Sequence, residues 1–404
     1  MKFSKLSQLF LVSTVGLLVA TLLSACQLVT IDYVYVASSA ATSGTNADGQ
    51  INIFAVDSQS GALRSGATTV SSGGATPVAM AVSADYSNLY VAHSGDNTVV
   101  HFAVATNGTL TNKDTITLSV PPAALAVSPD GAYLYVLAGS TSATLNVYSL
   151  SSGTIGALAS SDSLVVSGAE GDQMVPTGLA VLASGKGVYA TAYDKSSYNP
   201  GGTTSSTEHP GWVFGFAASS GTLTAASGSP YQAGVKPSAV AVDPTNRFVY
   251  VTDYASNQLI GYSITNTTTL NYMLSGPFTT GSQPTAVAVD PRGKFLYVAN
   301  GLSSSVSAYV ITLATGVPSA AVSTSGSSTN TTDTQPVAIA VDPALGRFVY
   351  TANYLGSSVS GFRLDPTAGT ISATQSTPYP TDSQPTALAV VPHGNHSVQA
   401  VNSY

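Results

Sequence analysis

Charge is the scarcest feature of this 404-residue chain. Twelve Lys and Arg face 19 Asp and Glu, so only 8% of residues are charged and the formal net charge is −7. No basic stripe exists for phosphates to pair with, which argues against a nucleic-acid partner. A single cysteine rules out an internal disulfide. The sequence contains no G-x-S-x-G, H-E-x-x-H, C-x-x-C or Walker-type loop, so the familiar nucleophile, metal and phosphate sites are missing. Gly185-Lys186-Gly187-Val188-Tyr189-Ala190 matches a dinucleotide pattern by letters alone, and no helix is expected after it. Five histidines are scattered, and His393 with His396 lies near the C-terminus without a nearby acidic cluster. No metal and no cofactor is therefore expected, although Asp-rich turns leave calcium open.

What the chain has instead is repetition. TPVAMAV (76–82), PPAALAV (121–127), VPTGLAV (175–181), KPSAVAV (236–242), QPTAVAV (283–289), QPVAIAV (335–341) and QPTALAV (384–390) align on Pro77, Pro122, Pro176, Pro237, Pro284, Pro336 and Pro385. Successive spacings of 45, 54, 61, 47, 52 and 49 residues indicate a propeller or an array. Each unit continues with a turn such as DPRG, an aromatic run such as FLYVA, a third run such as SVSAYVI and a variable fourth. Four short runs bounded by Gly, Pro, Asp and Ser make one blade, and Ala in the first run lets strands crowd near an axis. The expected fold is all-β, a seven-bladed β-propeller of four-stranded antiparallel blades spanning 32–404.

Residues 1–25 read as an export signal, with Lys2 and Lys5 ahead of the apolar run Leu9 to Leu23. Leu23-Ser24-Ala25-Cys26 resembles a bacterial lipobox. Cys26 would then carry lipid, residues 26–31 would form a short tether, and removing the two lysines would take the charge to −9. The seven steps from Cys26 to Tyr33 span at most about 25 Å. The expected location is extracytoplasmic, lipid-anchored to the cell envelope, on the outer membrane if the cell has one, as a monomer.

DYVYVA (32–37) matches a second strand and INIFAV (51–56) a third, so the N-terminus enters in mid-blade and Pro385 to Val390 supplies the missing first strand. Closing the ring this way removes exposed edges. SVQAVN (397–402) also reads as a second strand, which gives eight candidates for seven places.

Two connections between second and third strands are long, Ser38 to Gln50 and Tyr193 to Gly211. In a propeller they share one face with the links between blades, and insertions of this kind mark a binding side. Lys186, Arg247, Arg292, Lys294 and Arg347 fall on the opposite, short-turn face. They either rest on an anionic membrane or balance Asp243, Asp290 and Asp342 in the same turns.

The repeat PTAVAVDPRGKFLYVAN followed by SVSAYVI resembles the YVTN-type propellers and the seven-bladed lactonase family, over roughly residues 32–404. The resemblance implies lactone hydrolysis of the 6-phosphogluconolactonase type. It also implies a histidine-containing stretch at a mid-chain connection, where this chain has GAEGDQMVPTGL (168–179), with Glu170, Asp172 and Gln173 but no histidine.

Two groups are candidates for chemistry. The residues closing each second strand, Ser38, His93, Ala138, Ala192, Asp253, Asn300 and Asn353, occupy equivalent places on one rim. His93, Asp253, Asn300 and Asn353, with Asp194, Glu170 and Asp172, are candidate ligand-binding residues, the alternative for the Asp and Asn being turn formation. In the long loop, Glu208 or His209 is a candidate base and Lys195 a candidate oxyanion donor, with Trp212 behind them. Two functions follow: binding of a small polar molecule, glycan or protein at the long-loop face, or lactone hydrolysis there.

Overall fold

The computed structural model describes residues 29–39, 48–65, 69–166, 173–197, 210–321, 328–394, 396 and 399. Their strands form seven antiparallel sheets arranged as the blades of a ring. Each blade runs from an inner strand through a second and third to an outer one. In blade 6 these are Pro284–Val289, Phe295–Asn300, Ser305–Ile311 and Pro318–Ala320. Among the described residues, no helix is long and apolar enough to cross a membrane.

The aligned prolines begin the inner strands in six blades. Proline has no N–H to give a ladder, so a strand's first residue is where it fits. There it pairs with the residue that closes the second strand: Pro77 with His93, Pro237 with Asp253, Pro284 with Asn300 and Pro336 with Asn353. The register shifts immediately afterwards in all four.

Adjacent blades are bolted by the second strand. Phe248 and Tyr250 are two residues apart, so they lie on one face of the strand. Both meet Gly316 of the next blade: the Tyr250 hydroxyl donates to its carbonyl at 2.6 Å, and the Phe248 ring packs on its Cα. Gly316 has φ +76°, and a Cβ there would stand 2.3 Å from the ring, so glycine is required on both counts. The same bolt joins Tyr35 to Gly108, Tyr90 to Gly153, Tyr297 to Gly369 and Tyr350 to Gly61. Tyr189 makes it to the carbonyl of Thr268. All six tyrosines are 0% exposed, and each contributes roughly 1.5–3 kcal/mol of apolar burial beyond the hydrogen bond. Nearer the axis, Thr386 donates to the carbonyl of Pro77, Ser238 to Pro284 and Thr285 to Pro336, each from one blade to the next.

Ring closure uses both ends of the chain. Thr30–Ser38 is the second strand of blade 1, pairing with inner strand Pro385–Pro392 on one side and third strand Asp48–Asp57 on the other. The first of the eight candidate second strands is therefore the one in the ring. SVQAVN lies outside the described residues except for Gln399.

The five basic residues of the short-turn face divide. Arg292 is buried, bonds Asp290 at 2.5 Å and donates to the Gly346 carbonyl of the next blade. Arg247 reaches the Leu313 carbonyl of its neighbour and lies over Phe248. Arg347 and Lys294 cover Phe348 and Phe295, while Lys186 is exposed. These contacts account for both Arg292 and Arg247 without a membrane.

Candidate functional site

Extra hydrogen bonds beyond the strands fix which loops meet on the long-loop face. The amides of Ser94, Tyr254, Gly301 and Tyr354, each just past a second strand, donate to the carbonyls of Thr76, Lys236, Gln283 and Gln335. Those four acceptors are the residues immediately before the inner prolines. Thr76, Gln283, Gln335 and also Gln384 have φ between +53° and +59°, a left-handed conformation costing on the order of 1 kcal/mol for a residue with a Cβ. The mouth of the ring is thus rimmed by Thr76, Lys236, Gln283, Gln335 and Gln384, none of them buried.

Lys236 stands out in this row. Its Nζ lies 4.8 Å from the ring centroid of Tyr254 and 5.3 Å from that of Tyr193. Burial lowers its pKa from the usual lysine value, and the two aromatic faces favour the cation. The Tyr254 hydroxyl donates to Gln283 Oε1 at 2.7 Å, which joins lysine, tyrosine and glutamine from two blades.

The residues expected from the sequence fall one place short of this rim. Asp253 is 0% exposed, and its carboxylate accepts the amides of Val235, Lys236 and Ala255 and the Gln258 side chain. Asn300 accepts from Gly281 and donates to Ser305 and Ser307; Asn353 accepts from Thr351 and donates to Ser358 and Ser360. His93 shares hydrogen bonds with Ser72 and Thr98, and burial lowers its pKa. Each of the four is tied within its own blade or the link that precedes it, and no hydrogen bond joins one to another. Alternation explains the offset, since a step of one residue moves a side chain to the other side of the strand. Lys236 and the glutamines carried a visible signal, the residue type before each repeated proline.

The long loop is described only at its ends. Asp194 accepts from Ser196, Ser197 and the Gln173 amide. Burial raises its pKa, and those hydrogen bonds outweigh burial and hold it below the ordinary carboxylate value. The Lys195 amide donates to the Gln173 carbonyl, and its side chain is exposed. The connection after blade 3 and the start of the long loop are therefore adjacent. Glu170, Asp172, Glu208 and His209 lie outside the described residues, as does Cys26.

The profile of the family described as "Lactonase, 7-bladed beta-propeller" matches over residues 24–121, 45–171 and 106–401. The chain belongs to this family. Among solved structures, this lactonase-family propeller is similar to a periplasmic gluconolactonase of Pseudomonas aeruginosa, with TM-score 0.71, 18% identity, and 90% of this chain and 99% of that one covered. It is similar also to a Bacteroides fragilis protein provisionally named a 6-phosphogluconolactonase (0.68, 16%, 90% and 98%) and to a Lactobacillus plantarum protein (0.69, 15%, 89% and 99%). At these identities the likeness is one of fold. No functionally curated protein matches the chain by sequence.

Elsewhere in the lactonase-family propeller, a groove of about 880 Å³ opens on the short-turn face between blades 2 and 3, lined by Asp85, Asn88 and Asp130 among others. Asp85 is bonded to Ser83 and Ser87, and Asp130 to Ser128 and the Ala132 amide. These carboxylates shape their turns, which is why the mouth and not this groove is the stronger candidate.

One expectation is corrected outright. His396 does have acidic neighbours: its Nε2 is 3.3 Å from Asp32 Oδ1 and 3.3 Å from Asp342 Oδ1. Ring closure brings the three together from opposite ends of the sequence. Burial, then the Asp342 charge, pushes Asp32 up to about 8. Burial alone would lower His396, but hydrogen bonds to Asp342 and Gln399 and the two carboxylate charges raise it to about 9.

Proposed function

We propose that the long-loop mouth binds a small polyhydroxylated acid or its lactone, with Lys236 meeting the carboxylate or carbonyl and the glutamine row meeting hydroxyls. The observation that carries this reading is the position of Lys236, held against Tyr193 and Tyr254 on a rim of uncharged hydrogen-bonding side chains. Aromatic faces suit the C–H surface of a sugar ring, and a partly desolvated ammonium suits its anionic end. Family membership supports the ligand class. The described carboxylates beside Lys236, Asp194 and Asp253, are committed to hydrogen bonds and offer no base, which favours binding without turnover.

Hydrolysis is the second reading, favoured by the family and by the lowered pKa of Lys236. In it, Glu208 or His209 activates water while Lys195 or Lys236 holds the developing oxyanion. The test uses D-glucono-1,5-lactone and gluconate, following fluorescence of Trp212, the sole tryptophan, and proton release with a pH indicator. Saturable binding weakened by Lys236→Met, without proton release above background, supports the binding reading. Turnover abolished by Glu208→Gln installs the hydrolase in its place. No binding of either compound at millimolar concentration rejects both.

The first 26 residues make this an exported protein with lipid on Cys26 in our reading, in keeping with the periplasmic location of the Pseudomonas aeruginosa neighbour. Radiolabelled palmitate should enter the wild-type chain and not Cys26→Ser; equal labelling of both removes the anchor from the proposal.

A further inference from the structure

We propose that Asp32, Asp342 and His396 form a binding site for a zinc-type divalent cation, which fastens the ring where its two ends meet. Asp32 comes from the N-terminal strand, Asp342 from the first turn of blade 7 and His396 from the C-terminal segment. One ligand atom from each lies within 4.8 Å of the others. All three residues are buried, Asp32 and Asp342 completely.

Asp32 is the independent sign that a ligand belongs here. Both of its carboxylate oxygens lack a hydrogen-bond partner, though the residue is 0% exposed. An uncompensated buried carboxylate is costly, so Asp32 either keeps its proton or faces a positive group. Among its neighbours, Arg347 contributes only a lesser share of the field and His396 is the nearest donor.

The geometry favours a metal ion over a shared proton. Nδ1 of His396 faces Gln399 Oε1 at 2.8 Å. Oε1 is an acceptor, so Nδ1 carries hydrogen, and it is Nε2 that faces the two carboxylates and would give an ion its lone pair once its own proton has left. The Nε2 to oxygen distances of 3.3 Å are long for a charge-assisted hydrogen bond, for which about 2.7–2.9 Å is usual. They equal the edge of a tetrahedron around an ion with bonds of about 2.0–2.1 Å, the zinc–nitrogen and zinc–carboxylate lengths. Gln399 would be the outer partner that orients a metal-bound imidazole. Asp342 Oδ1 accepts the amides of Ala344 and Leu345, and Oδ2 accepts that of Arg347, which hold this carboxylate in place beside His396. A single imidazole with two carboxylates suits Zn²⁺ better than Ca²⁺, which prefers six or more oxygens.

The experiment takes the full chain in detergent, strips it with EDTA, and titrates ZnCl₂, MnCl₂ and CaCl₂ separately by calorimetry at pH 7.5, with melting curves alongside. The expected result is one Zn²⁺ per chain, weaker Mn²⁺, no comparable Ca²⁺ binding, and a higher melting temperature with zinc. His396→Gln and Asp32→Asn, each shown folded by circular dichroism, should weaken zinc binding by more than about 100-fold, and Gln399→Ala by about 10–100-fold. His396→Gln alone decides if the Asp32 variant does not fold. Absence of stoichiometric zinc in the folded wild type, zinc affinity unchanged in His396→Gln, or tighter Ca²⁺ than Zn²⁺ each overturns the proposal.

Discussion

The two faces of the ring are built from the same repeat and treat their polar residues in opposite ways. On the short-turn face, Asp243 accepts the amides of Thr245, Arg247 and Phe248, and Asp290 those of Lys294 and Phe295. Their basic neighbours reach across to the following blade. On the long-loop face, the deep residues Asp253, Asn300 and Asn353 do the same internal work, but one residue further out Lys236 and the glutamines remain at the solvent boundary. Charge near a turn is therefore a poor guide to function in this fold, and the side of the strand on which a residue stands is a good one.

The comparison can be broken most severely on the structural side. Asp290→Ala removes the acceptor for two amides and leaves Arg292 buried without its carboxylate, so it should cost about 3–5 kcal/mol in denaturant unfolding. A loss below about 1 kcal/mol would mean that the turn is not held this way. Lys236→Met should do the reverse: roughly 10–100-fold weaker gluconate binding, the worth of a hydrogen bond to a charged group, with stability changed by less than about 0.5 kcal/mol. Equal affinity in variant and wild type would move the ligand elsewhere.

A finer cut is Tyr297→Phe, which deletes one bolt and strands the Gly369 carbonyl. It should destabilise by about 1–3 kcal/mol and leave binding untouched. The smallest effect expected is on pH dependence. Burial holds the His93 pKa below its ordinary 6.5, so the unfolded chain takes up the proton first. That contribution is complete above pH 6.5 and is lost as pH falls through the folded-state pKa. His93→Gln should flatten the acid-side decline by no more than about 1.4 kcal/mol per pH unit; an unaltered slope would show that His93 does not titrate on unfolding.

Architecture was legible because each blade repeats its own construction. The prolines mark the inner strands, the FVY and FLY runs mark the bolts, and DYVYVA at the start matched the inner strand left over at the end. The site was less legible for a geometric reason. Reading the last residue of each second strand selected side chains that turn into the blade, and the rim is built by the residues just before the prolines that pair with them. His396 was misjudged because sequence distance hides contact: Asp342 lies 54 residues before it, and Asp32 approaches it only after the chain has gone once around the axis. Nothing local to PHGNH announces that.

The outer strands differ in a way that bears on how this molecule meets others of its kind. In blades 1, 4, 5, 6 and 7 the outermost strand is split into two short pieces, while blades 2 and 3 carry unbroken ones, Leu110–Thr117 and Thr154–Ser163. Short edges give a foreign strand too few backbone groups to grip. Recruitment by strand addition is thereby restricted to one arc of the circumference, where Lys113 and Asp162 supply charge against casual stacking. Crowded side by side on a surface, such rings can touch around most of their perimeter without knitting together.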